Sequence, residues 1–219
     1  MRLGSYYKTL KLIEKLNELK ISKYEKVLDV GAYDGYWLSL IDASLKIALD
    51  LSPAKSYHDI NYVRGDALNK PLKSNTFDII FTLDVIEHVS DEIKFMNELF
   101  RVCKKNGYII ITTPHSDLKI FPSFLTDWIH RKWGHYRKKG YNKSELETLL
   151  SSISYKYEII EFKCINVWFF MKLYLLLRVL WIVSKNTTIK AMKFLVTVEN
   201  KYFLNRGNWM WIVILKKLR

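Results

Sequence analysis

Val27-Leu28-Asp29-Val30-Gly31-Ala32-Tyr33-Asp34-Gly35 runs from an apolar strand through an acid into a turn that carries two glycines. A second apolar run, Lys46-Ile47-Ala48-Leu49-Asp50, ends in another acid 21 residues after Asp29. Glycine lets backbone approach a ligand closely. A carboxylate closing the next strand can accept both hydroxyls of a ribose. Together the two features predict a nucleoside cofactor. The glycines are spaced G-x-x-x-G, which argues against the G-x-G-x-x-G fingerprint of nicotinamide dinucleotide sites.

On either side of this stretch, apolar period and turn signals alternate. Residues 6–20 carry Tyr6, Leu10, Ile13, Leu16 and Leu19 at helical spacing. Strands are expected at 26–30, 46–50, 62–63, 77–83, 108–113, 158–163 and 209–215, and helices after Gly35 and over 91–103. The 77–83 run is nearly all apolar, as a strand covered on both faces should be. Asn106-Gly107 reads as a helix stop, and Asn142-Lys143-Ser144-Glu145 as a capping box opening a helix through Leu150. The alternation predicts an α/β fold: a doubly wound, mostly parallel seven-stranded sheet. An apolar helical insertion, 164–207, precedes the last strand, and 1–219 is read as a single domain.

The chain has 219 residues, 49% of them hydrophobic, enough for a sizeable core. Its net charge of +13 is uneven: residues 1–148 hold 23 Lys/Arg against 19 Asp/Glu, and 149–219 hold 12 against 3. That basic third suits an acidic partner such as anionic lipid, nucleic acid or a phosphorylated substrate. The two cysteines, Cys103 and Cys164, form no paired motif. They fit a reducing, cytoplasmic setting rather than a disulfide framework. The five histidines are scattered without ligand spacing, so no metal site is expected. The first residues lack the apolar core of a signal peptide.

The sequence resembles the class I S-adenosylmethionine-dependent methyltransferases, in particular the group that includes the ubiquinone- and menaquinone-type enzymes. The match rests on Val27 to Gly35, on Asp50, on Gly65-Asp66-Ala67, and on Phe77-Asp78-Ile79-Ile80-Phe81-Thr82-Leu83-Asp84-Val85-Ile86-Glu87-His88-Val89. Leu99 to Tyr108 and Thr112-Thr113-Pro114 add to it, and the likeness covers roughly 24–151. In one departure, Tyr33 stands where the family loop usually has a third glycine.

The resemblance implies S-adenosyl-L-methionine as cofactor. It assigns Gly31 and Gly35 to the methionine moiety, Asp29 to its ammonium, Asp50 to the ribose, Asp66 and Ala67 to the adenine and Leu83 to the pocket wall, and it counts Asp34 and Leu51 among the cofactor-binding residues. His88, with an unperturbed pKa near 6.5, suits a general base. His135, in His135-Tyr136-Arg137, competes for that role, with His115 behind both. Alignment of nucleophile and methyl supplies much of the acceleration, so a base matters mainly for a hydroxyl or carbon acid.

Residues 114–141 show no clear period but interleave aromatics with cations, and are expected to form a substrate lid. Trp133, Tyr136 and Arg137 are its acceptor-side candidates, and its cations suit a carboxylate or phosphate. Residues 167–183 are apolar apart from Lys172 and Arg178. They could pack on the sheet or on a second copy in a homodimer, lie on an anionic membrane surface, or span a bilayer, for which they are short. The expected activity is methylation of a small-molecule or lipid-linked acceptor by a cytoplasmic, membrane-associated (peripheral) enzyme. Two alternatives stand beside it. An RNA methyltransferase is disfavoured because Leu83-Asp84-Val85-Ile86 lacks the Asn/Asp-Pro-Pro-aromatic motif of base-amine enzymes. The other is a non-catalytic cofactor-binding subunit.

Overall fold

The computed structural model describes residues 3–18, 24–54, 57–69, 71–119, 123–128, 140–165, 167, 169–202 and 208–218. It divides into two compact units, one built on a sheet (23–116, 137–164, 210–219) and one helical (1–22, 117–136, 165–209).

The sheet unit holds β1 (Tyr24–Val30), β2 (Ala43–Asp50), β3 (Asn61–Arg64), β4 (Phe77–Leu83), β5 (Cys103–Pro114), β6 (Tyr157–Ile165, whose last residue falls in the helical unit) and β7 (Met210–Lys217). The strand order is 3-2-1-4-5-7-6. β1, β2, β3, β4 and β5 run parallel, and β7 pairs antiparallel with β5. This is the doubly wound, mostly parallel α/β sheet that the alternating pattern predicts. β4 is central and buried at Phe77, Ile79, Ile80, Phe81 and Thr82, which explains its continuous apolar run. The sheet order reverses between β1 and β4, so their carboxyl ends flank the crevice where such folds bind ligands.

Two helices of this unit follow their sequence signals closely. The first helix after β4 (Glu92–Val102) is capped by Asp91, whose side chain accepts from the Lys94 amide at 2.9 Å, and it buries Phe95, Met96, Leu99 and Phe100. The helix Lys143–Ser151 opens on a complete capping box. The Asn142 side chain accepts from Glu145 N (2.9 Å), while Glu145 accepts from Asn142 N (2.8 Å).

Two expectations are corrected. The helix predicted after Gly35 is a single 3₁₀ turn, Leu38–Leu40. Tyr24 pairs with Ala43 and Val30 with Leu49, so the chain must return along six residues of strand, about 20 Å, between Val30 and Ala43. A helix rising 1.5 Å per residue would use nearly the whole connection and leave no turns. Asn106-Gly107 is not the helix stop. The helix ends at Val102, and Asn106, at φ 61°, lies within β5 where its pairing with β4 shifts register.

In the helical unit, α1 (Leu3–Glu18) accompanies three C-terminal helices, here called αX (Phe169–Lys172), αY (Tyr174–Val183) and αZ (Lys185–Tyr202). The apolar run 167–183 is thus broken at Leu173. Tyr7 stacks on Phe170 (centroids 4.0 Å apart) and meets Trp209 edge-on. Its hydroxyl donates to Glu199, which also accepts from Phe170 N at 3.0 Å and lies 3.9 Å from the Lys11 ammonium. Among the described residues, no helix is long and apolar enough to cross a membrane.

Candidate cofactor site

The loop after β1 is stitched to the end of β2. Gly31 N and Ala32 N both donate to Leu49 O (2.8 and 3.3 Å). Tyr33 N donates to Asp50 Oδ2 at 3.0 Å, and Ser52 N to Asp50 Oδ1 at 2.7 Å. Gly31 and Gly35 have φ of 77° and 73°, a region L side chains rarely enter. A Cβ on Gly31 would stand 2.3 Å from Val85 Cγ2, and one on Gly35 would stand 2.6 Å from the Tyr62 hydroxyl. Tyr33 takes the same left-handed conformation (φ 47°), and the residue is half exposed.

Asp29 is buried near the end of β1. Burial first, then the charges of Asp50 and Asp34, hold its carboxyl well above the usual carboxylate range. Three carboxyl groups therefore gather at the ends of β1 and β2, an arrangement suited to a cationic ligand, whose charge would favour the ionised form of Asp29. Asp34 is fixed locally: Oδ1 accepts from Tyr36 N (3.0 Å), and its carbonyl accepts from the Tyr62 hydroxyl (3.0 Å).

Asp66 begins the next turn. Its oxygens accept from Leu68 N (2.9 Å) and Asn69 Nδ2 (3.1 Å), ordering the 3₁₀ turn Ala67–Asn69. Leu51 is exposed, with its carbonyl accepting from Arg64 Nε at 3.1 Å. Leu83 closes β4, half-buried.

Beyond Leu83, Asp84 turns the chain at φ 56° and accepts from Thr112 Oγ1 at 3.0 Å. Glu87 is buried and accepts from Thr113 Oγ1 at 3.0 Å. Its neighbour His88, singled out from sequence as the base, is exposed. His115 stacks on Trp211 (5.3 Å), whose indole N–H donates to Tyr141 O at 2.8 Å. Trp133, His135, Tyr136 and Arg137 lie outside the described residues. Sequence reasoning missed Val85 and Tyr62, which close on the two glycines, and the Asp84–Thr112 and Glu87–Thr113 pairs. Only Thr112-Thr113-Pro114 gave a signal for the last two.

A family model described as a methyltransferase domain matches residues 5–156. The chain belongs to that family. Within it, the sequence and fold are those of the class I S-adenosylmethionine-dependent methyltransferases, which take S-adenosylmethionine as cofactor. The chain is 31% identical over 128 residues to a chloroplastic tocopherol O-methyltransferase of Arabidopsis thaliana, covering 51% of this chain and 37% of that protein. It is 31% identical over 108 residues to a malonyl-[acyl-carrier protein] O-methyltransferase of Marinomonas, covering 43% of this chain and 40% of that one. It thus spans well under half the length of these two curated relatives. Phosphoethanolamine N-methyltransferase 2 of Haemonchus contortus, solved with S-adenosyl-L-methionine, shares the fold at TM-score 0.61 and 18% identity, over 96% of this chain and 52% of that one.

A sulfonium bearing an ammonium needs negative neighbours, which Asp29, Asp34 and Asp50 supply. Gly31 and Gly35 give the turn beside these carboxylates its positive φ, and Val85 and Tyr62 pack where their Cβ atoms would stand. The residues fit the group.

Proposed function

We propose that this chain is an S-adenosylmethionine-dependent methyltransferase acting on a small-molecule or lipid-linked acceptor that carries an anionic group. The observation that carries the cofactor half is the gathering of Asp29, Asp34 and Asp50 beside a turn whose two glycines have positive φ. When bound, S-adenosylmethionine supplies a methyl group on a sulfonium, already activated toward a nucleophile.

The task left to the chain is binding and alignment. Asp29 would face the ammonium, and Asp50 would accept from the ribose hydroxyls. Gly31, Asp34 and Gly35 would flank the methionine moiety. Leu51, Asp66 and Ala67 would meet the nucleoside, and Leu83 would wall the pocket. His88 or His135 would take a proton where the acceptor is a hydroxyl or a carbon acid. The stretch 114–141 would cover the acceptor, with Trp133, Tyr136 and Arg137 facing it. Relatives named for tocopherol and for an acyl-carrier-bound malonyl group support a lipid or acyl acceptor. Cys103 and Cys164, held as thiols, suit a cytoplasmic location.

The test is calorimetric titration with S-adenosylhomocysteine, followed by labelled-methyl transfer to isoprenoid phosphates and acyl thioesters. Saturable binding and transfer to one of these classes are expected. A well-folded chain that binds no cofactor analogue would be a non-catalytic subunit instead. Methylation of RNA in preference to either acceptor class would overturn the acceptor assignment.

A further inference from the structure

The helix αY is apolar apart from Arg178, yet only one side of it is used. Tyr174 and Leu177 are buried, and the Trp181 ring lies 6.2 Å from that of Tyr6. At 100° per residue, Ile182, Leu175, Val179, Val183 and Leu176 fill the opposite arc, about 120° wide. Four of these five are exposed: Ile182 by 80%, Val183 by 77%, Val179 by 59% and Leu176 by 57%. Such an aliphatic face is more than scattered surface residues require.

The charges around it have one sign. Between Val167 and Tyr202 the chain carries Lys172, Arg178, Lys185, Lys190, Lys193 and Lys201 against one acid, Glu199. All six cations are exposed, while Glu199 is buried against Tyr7 and the Phe170 amide. On αZ, Lys190, Lys193 and Lys201 share one outer face with exposed Phe194. The only carboxylate of this stretch has been withdrawn from its surface.

We propose that αY and the basic face of αZ form a docking surface for an anionic lipid bilayer. The aliphatic arc would enter the headgroup–acyl boundary, and Lys172 and Arg178 would reach back to the phosphates along their own stems. At ten residues αY spans about 15 Å, half the hydrocarbon thickness, so it lies in the surface and does not cross it. A second copy of the chain is the poorer occupant, because it would set two collars of cations against each other. Nucleic acid is poorer still, since phosphates reward the lysines but leave Val179, Ile182 and Val183 in water. The surface deepens the reading of a lipid-linked acceptor, but it involves none of the cofactor residues.

The experiment is flotation of the purified chain with vesicles of neutral phosphatidylcholine, alone or with 30% phosphatidylglycerol. Wild type is compared with Val179→Asp/Ile182→Asp and with Lys190→Ala/Lys193→Ala, and S-adenosylhomocysteine binding is measured on each. Binding only to the anionic vesicles, weakening as salt rises, is expected. The aspartate pair should abolish it, and the lysine pair should lower it by about 25-fold, fivefold per residue. All three proteins should bind the cofactor analogue alike, which separates this surface from the cofactor assignment. No flotation with anionic vesicles at low salt would overturn the proposal. So would equal flotation with both compositions, or a vesicle-free dimer that the aspartate pair converts to monomer.

Discussion

The backbone amide of Tyr33 donates to the Asp50 carboxylate at 3.0 Å, so the end of β2 holds the turn that follows β1. The proposed ribose acid therefore also shapes the loop for the methionine moiety, and its two oxygens already hold Tyr33 N and Ser52 N.

Asp50→Ala should accordingly lose more than a ligand contact. Hydrogen bonds to a charged group are worth about 1.5–3 kcal/mol each, so S-adenosylhomocysteine affinity should fall at least tenfold. Asp50→Asn can keep one acceptor for the loop and should lose less. Titration calorimetry on both variants checks the order, and equal losses would mean that Asp50 acts by charge alone.

Gly31→Ala places a methyl 2.3 Å from Val85 Cγ2 at φ 77°. The left-handed backbone alone costs about 1–2 kcal/mol, and the clash adds to it. Adding Val85→Ala should recover the clash component but not the backbone component. Urea midpoints of the single and double variants measure both. Full recovery in the double variant would show that φ is not limiting.

Tyr33→Gly should leave stability unchanged or raise it by up to about 1.6 kcal/mol. It relieves a left-handed cost of about 1–2 kcal/mol. It also frees the unfolded chain, which costs about 0.4–1 kcal/mol. With the residue half exposed and the hydrogen bond from its amide to Asp50 retained, cofactor-analogue affinity should stay within threefold. A large gain in affinity would mean that the ring narrows the site.

Asp29 gives the protein a pH signature. Its carboxyl titrates well above 3.8 in the folded chain, so the folded state keeps a proton that the unfolded state has lost. Stability then falls as pH rises from the unfolded value through the folded one. Asp29→Asn removes this loss, so it should raise the urea midpoint at pH 7 and give no gain below about pH 4. An ammonium beside Asp29 favours its charged form, so wild-type affinity for S-adenosylhomocysteine should rise with pH across the same window. The Asn variant should lack that rise. A pH-independent difference in midpoint would remove Asp29 from the account.

The parallel sheet was legible because buried strands need continuous apolar runs and because capping residues have fixed local geometry. Phe77–Leu83 and the Asn142–Glu145 box stand where their residues place them. The missing helix after Gly35 was not legible. Trp37, Leu38 and Ile41 fit a helical face, but the register of β1 on β2 leaves too short a return path. Likewise Glu87-His88 reads as an acid beside a base, and no periodicity tells that the first is buried on Thr113 while the second faces solvent.

By itself the sequence determined the family, the strand alternation, and the two glycines and two acids around the turn after β1, since these follow from residue order and local bonding. The tertiary structure alone decided that Val85 and Tyr62 close on those glycines, that Glu199 is spent inside the helical unit, and that one face of αY stays bare. Each of these is set by which distant segment comes to lie alongside. An apolar residue carries the same hydrophobicity whether it meets a neighbour or water, so composition cannot tell the two apart.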